Sequence, residues 1–142
     1  MDMVDSGDWM INYNEVIKDK SLSYITRLLA ADLINNPYLT LGDFFKNLAD
    51  VEVDILVEKA DHLLQDDEEH FKSLEEMIIL TMMLCQAEGV SLSSEQDIRE
   101  ATNLLAIITH GVSLGKKGIV EVKYDKLSLG KEFENEVVFK RI

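Results

Sequence analysis

The stretch Ser73-Leu74-Glu75-Glu76-Met77-Ile78-Ile79-Leu80-Thr81-Met82-Met83-Leu84-Cys85-Gln86-Ala87 decides how this chain folds. Ser73 followed by Glu76 matches the capping-box pattern that opens a helix. Beyond it, Leu74, Met77, Ile78, Ile79, Leu80, Met82, Met83, Leu84 and Cys85 leave almost no polar face. A helix that is apolar nearly all round belongs at the centre of a core, or is covered by a second subunit. Gly89 is a natural C-terminal stop. The apolar run Met77 to Cys85 is far too short to span a bilayer.

Downstream, Ser93 or Ser94 can cap a last helix near Glu95 to Lys116. Ile98, Ala101, Leu105, Ile108 and Val112 form one apolar stripe on it, and Leu104, Ile107 and Leu114 a second, which predicts packing on two sides. Lys116 and Lys117 suit the helix C-terminus, and Gly118 can close it. The period then changes from 3.6 to 2. Val120, Val122 and Tyr124 alternate with Ile119, Glu121 and Lys123, and Val137 to Ile142 read as a second strand. A polar stretch containing Gly130 lies between, which predicts an antiparallel hairpin over 119–142.

Upstream, residues 65–72 read as an acidic linker. Before it, Val53, Leu56, Val57, Ala60, Leu63 and Leu64 share one face of an amphipathic helix that Asp50 can cap. Thr40 with Asp43 resembles an N-cap pair ahead of Leu41, Phe44, Phe45 and Leu48. A first helix is predicted from Ser21 to Asn35 on Leu22, Ile25, Leu29 and Leu33, ended by Asn36 and Pro37. Residues 1–20 read as a flexible acidic arm around Trp9, and 21–142 as one helical domain. The fold class expected is mostly α with a C-terminal β-hairpin (α+β), with about five helices.

The chain has 142 residues, of which 46% are hydrophobic. That is enough to bury a core in a single domain. Its 27 acidic and 14 basic side chains give a net charge of −13. Such a charge opposes phosphate backbones and anionic membrane surfaces, and suits solubility or docking onto a basic protein. The distribution is uneven. Residues 1–115 hold 7 basic and 22 acidic side chains, whereas 116–142 hold 7 basic and 5 acidic. Trp9 and the basic residues Lys116, Lys117, Lys123, Lys126, Lys131, Lys140 and Arg141 are therefore the candidate interaction surface.

Reactive constellations are sparse. His62, Asp66 and His70 would stack at i, i+4, i+8 if one helix ran through the linker, but a linker there makes an exposed polar turn the better reading. Asp66, Asp67, Glu68 and Glu69 lack the spaced oxygens and turn glycine of a calcium loop. His110, among apolar residues, reads as a core or interface histidine. No serine sits in a nucleophile elbow, and Gly111, Gly115 and Gly118 do not follow a strand as a phosphate cradle does. No catalytic residue, metal site or cofactor is expected. The lone Cys85 reads as a buried small hydrophobe and fits a reducing, cytoplasmic compartment. The start, Met1 to Asp8, is acidic and does not resemble a signal peptide.

Two resemblances follow. Helices from Ser73 and Glu95 with a basic 119–142 wing resemble the winged-helix arrangement. The last helix departs from it, because Glu95, Gln96, Asp97, Arg99, Glu100 and Asn103 make a poor reading head for bases. Separately, Asn36-Pro37-Tyr38-Leu39-Thr40-Leu41-Gly42-Asp43-Phe44-Phe45, with Lys117-Gly118-Ile119-Val120-Glu121-Val122-Lys123-Tyr124-Asp125, resembles small acidic proteins of unknown role from tailed phages of marine cyanobacteria. That resemblance implies a phage source and a role in the host cytoplasm, and no mechanism. The expected function is a non-enzymatic protein-interaction module, a phage accessory or regulatory protein, whose partner is a protein or a second copy in a homodimer. Nucleic acid and membrane are not expected partners. The alternatives are a winged-helix DNA-binding transcription regulator and an acidic mimic of nucleic acid.

Overall fold

A computed structural model describes residues 11–65, 70–122, 127–129 and 139–141. Among them the chain is mostly helical. The helices are α1 (Tyr13–Lys18), α2 (Tyr24–Asn35), α3 (Leu41–Asn47), α4 (Asp50–Gln65), α5 (His70–Glu88) and α6 (Glu95–Lys116). Two short strands follow, β1 (Val120–Val122) and β2 (Phe139–Arg141).

The apolar helix α5 lies at the centre, packed by α2, α4 and α6. Met77, Leu80, Met82, Met83, Leu84 and Cys85 are almost wholly shielded. Each such side chain contributes roughly 1.5–3 kcal/mol by leaving water. Cover for these α5 side chains comes from within the chain. Val53, Leu56 and Ala60 of α4 and Ile98, Leu105, Ile108 and Val112 of α6 complete this core. Leu29 and Leu33 of α2 and Phe44 and Phe45 of α3 join it. The two rings of α3 are 5.4 Å apart and tilted by 54°. Buried threonines on the central helices satisfy their hydroxyls locally. Thr81 donates to the Met77 carbonyl at 2.6 Å, and Thr109 to that of Leu105 at 2.7 Å.

Helix ends follow local chemistry where the partner is local. Thr40 accepts the Asp43 amide at 3.0 Å, and Ser94 accepts the Asp97 amide at 3.1 Å. At the far ends, Gly89 and Gly118 take φ of +75° and +76°. The Val90 amide reaches the Cys85 carbonyl at 2.8 Å and the Ile119 amide that of Leu114 at 3.0 Å, both in the six-to-one pattern of a Schellman cap.

The predicted capping box is corrected. α5 begins at His70, so Ser73 lies inside the helix, and residues 70–72 are helical where a linker was expected. Glu76 faces a different helix altogether. Its carboxylate accepts the Ser23 amide at 3.0 Å and the Thr26 hydroxyl at 2.7 Å, and it also takes the Ser23 hydroxyl. Ser23 is the N-cap of α2 and makes no cap bond with its own side chain. Glu76 therefore caps α2 from across the core, where a carboxylate also complements the helix dipole.

The arm is corrected as well. Trp9 and residues 1–10 lie outside the described residues, but 11–18 belong to the body. Asn12 caps α1, Val16 is buried, and α1 packs along α2. The Gln86 side-chain amide grips the Ile11 backbone, taking its N–H and donating to its carbonyl at 3.4 Å. Arg27 of α2 donates to the Ile17 carbonyl at 3.0 Å. Six helices are thus seen among the described residues where about five were expected; α1 is the addition. α2 starts at Tyr24 and not at Ser21, because Ser21 is held in a turn by Asp19 at 2.6 Å and 3.0 Å.

β1 pairs antiparallel with β2, with Val120 opposite Arg141 and Val122 opposite Phe139. Most of the predicted hairpin, including its turn, lies outside the described residues. What is described of the connection is not polar and solvated. Leu127 and Leu129 are buried, and the Leu129 amide and Ser128 hydroxyl donate to Glu88 at 2.9 Å and 3.0 Å. β1 lies so close to the end of α6 that a Cβ on Gly115 would stand 2.7 Å from a Val122 methyl.

Candidate functional site

The basic surface expected from the sequence is not gathered among the described residues. Lys123, Lys126, Lys131 and Trp9 lie outside them. Lys140 and Arg141 are placed by the β2 backbone, opposite Glu121 and Val120. Lys117 is the exposed C-cap of α6. Lys116 turns back to Asp50 at 3.1 Å, which joins the end of α6 to the start of α4. Asp50 was expected as a cap; it stands instead in the first turn of α4.

Other sequence candidates separate. His110 is exposed on α6, in one polar stripe with Gln96, Arg99, Glu100 and Asn103. The stripe of Ile98, Ala101, Leu105, Ile108 and Val112 is buried, on a helix that packs on α4 and α5. Its second predicted stripe is only partly covered, with Ile107 54% exposed. His70 begins α5, Asp66 lies outside the described residues, and no group of three or more His, Cys, Asp or Glu able to hold a metal occurs among the described residues.

The structure does form one cleft that the sequence left unmarked. It has a volume of ≈ 700 Å³ and lies between the α1–α2 turn, α4 and α5. Leu22, Ile55 and Ile79 supply apolar walls. Asp19, Glu58 and Glu75 supply carboxylates, and Lys59 with Glu76 forms a pair at 3.5 Å. His62 Nε2 lies 3.8 Å from Glu58. Burial pushes the Glu76 carboxyl upward, but the hydrogen bonds from Ser23 and Thr26, with the Lys59 charge, outweigh it and hold the group below the usual carboxylate range. Asp19 is also held low, by the Ser21 hydroxyl and amide ahead of the Arg27 charge.

Two further buried groups sit at the other end of α5. Burial raises the Glu88 carboxyl above its ordinary value, against hydrogen bonds from Leu129, Ser128 and Leu41. Burial, and then the Glu88 charge, push the Cys85 thiol up to about 12. A thiol so protonated is a poor nucleophile, in keeping with its reading as a small core hydrophobe.

The outer side of α4 leads into the cleft. Val51 is 67% and Ile55 41% exposed, one turn apart, with Asp50, Asp54 and Glu58 exposed beside them. The sequence did carry this signal. Val51, Ile55, Glu58 and His62 recur at helical spacing on α4, off the face that Val53, Leu56 and Ala60 bury. No family model, curated protein or solved structure matches the chain.

Proposed function

We propose that this chain is a non-enzymatic protein-interaction module that docks a basic partner on the outer side of α4. The observation that carries the reading is the exposed pair Val51 and Ile55 set beside Asp50, Asp54 and Glu58. Apolar contact there supplies affinity, and the carboxylates select a cationic surface. The net charge of −13 steers such a partner in from a distance. The accessory or regulatory role implied by the phage resemblance belongs to the same proposal, as does a hairpin over 119–142, which the antiparallel β1–β2 register supports.

Titration of isotope-labelled protein with basic and acidic amphipathic peptides tests the reading. Basic peptides are expected to shift the α4 amides, and to weaken as salt rises from about 0.05 to about 0.5 M. Unmoved α4 amides with every basic peptide would overturn it.

The acidic-mimic reading draws on the row Asp50, Asp54, Glu58 and Asp61 along α4. It is the weaker one, since Lys116 already engages Asp50 and His62 adjoins Glu58. A DNA-reading role for α6 is disfavoured, because its exposed face carries Glu95 and Glu100 among Gln96, Arg99 and Asn103, and carboxylates there repel phosphate.

A further inference from the structure

Resting on that interaction reading, we propose that the cleft between the α1–α2 turn, α4 and α5 seats an arginine side chain of the basic partner. The charges within the cleft divide into two sets. Lys59 and Glu76 are committed to each other at 3.5 Å, and Glu76 is further engaged by Ser23 and Thr26. Of the remaining carboxylates, Asp19 from the turn accepts from the uncharged Ser21, Glu58 from α4 has the His62 imidazole 3.8 Å away, and Glu75 comes from α5; the three outnumber that one imidazole, and the lysine in the lining is already matched. An anionic ligand would face three carboxylates. A cation is drawn in.

The apolar walls decide which cation. Leu22, Ile55 and Ile79 offer hydrocarbon surface beside the carboxylates. A guanidinium is flat and weakly hydrated, so its faces pack on apolar side chains while its forked N–H groups reach carboxylates in the plane. An ammonium is compact and strongly hydrated, and gains less from such walls. Glu58 and Glu75 stand on different helices, so one fork can be met from two sides. At ≈ 700 Å³ the cleft also has room for residues flanking the arginine. Its mouth includes Ile55, which continues the exposed stripe from Val51. A segment lying along α4 would therefore deliver its arginine into the cleft.

The test uses the full chain, isotope-labelled, and an amphipathic basic peptide with a central arginine. Companion peptides carry lysine or citrulline at that position, with the other basic residues kept. The arginine peptide is expected to shift Leu22, Ile55 and Ile79. Affinity is expected to fall roughly tenfold with citrulline and several-fold with lysine. Glu75→Lys and Glu58→Lys, both exposed positions, are each expected to weaken the arginine peptide about tenfold. If the peptides shift Val51 and Asp54 but leave Leu22 and Ile79 unmoved, and citrulline binds as well as arginine, this inference is overturned and the interaction reading stands. If no peptide shifts any of these residues, both fall.

Discussion

The carboxylate of Glu76, midway along one helix, closes the N-terminus of another by accepting the amide of Ser23 at 3.0 Å. With the Thr26 hydroxyl and the Lys59 ammonium it forms a nearly buried, charge-assisted node. Removing the charge leaves Lys59 without its counter-ion and the α2 terminus poorly capped. Glu76→Gln is expected to destabilise the fold by about 1–3 kcal/mol at neutral pH, read by urea denaturation. An unchanged midpoint would show that the node is not stabilising.

Glu76 and Glu88, both on α5, should respond oppositely to pH. Glu76 is held below the ordinary carboxylate value, so its contribution is complete above that value and is lost as pH falls through its lower folded one. Glu88 is raised, so the folded state holds that proton more tightly than the unfolded chain. Its contribution is present in acid and is lost as pH rises from the ordinary value through the folded one. Stability measured against pH should therefore flatten on the acid side in Glu76→Gln, while Glu88→Gln should lose little or gain near neutrality. Parallel curves for both variants and the parent would contradict these assignments.

Gly115 leaves room for β1. Gly115→Ala places a methyl about where Val122 already stands, and should destabilise the chain by roughly 1–3 kcal/mol. Val122→Ala removes the opposing methyl, so the double variant should recover part of that loss. A double-mutant cycle with no coupling would disprove the close approach.

Lys116 and Asp50 make a good distance but a wet pair. The Asp50 side chain is 88% exposed. Asp50→Asn is therefore expected to change stability by less than about 1 kcal/mol, and by less still at high salt. A larger effect in thermal denaturation would mean that the pair organises more than itself.

Cys85 should stay unlabelled by a thiol reagent in the native protein and react at the rate of global unfolding. Burial and a thiol held at about 12 both point that way. Fast native labelling would indicate that the core end of α5 opens locally.

What could be read from the sequence was what neighbours decide. Thr40 and Ser94 cap the residues that follow them, and Gly89 and Gly118 stop the helices that precede them, because each motif closes within six residues. The centrality of α5 was legible in its composition. Ser73 and Glu76 misled for the same local reason: the pattern was right for a cap, but Glu76 had a better partner fifty-three residues away in Ser23. α1 escaped notice because a six-residue helix has too little periodicity to announce itself, and Val16 is its one buried residue. The cleft draws its lining from three separate segments, so no window of sequence contains it. Val51 and Ile55 could have been found, as apolar residues on the wrong side of an otherwise amphipathic helix.

The grip of Gln86 on Ile11 also bears on the order in which the molecule assembles. It joins positions 75 apart through a side chain at the last turns of α5. Closing so long a loop returns little until both ends are built. On the ribosome, Ile11 emerges before α5, and α1 can pack along α2 at once, but the grip on Ile11 itself waits for Gln86. The Ile11 contact is thus among the later ones to form. Its formation reports that the central helix has been completed to its end.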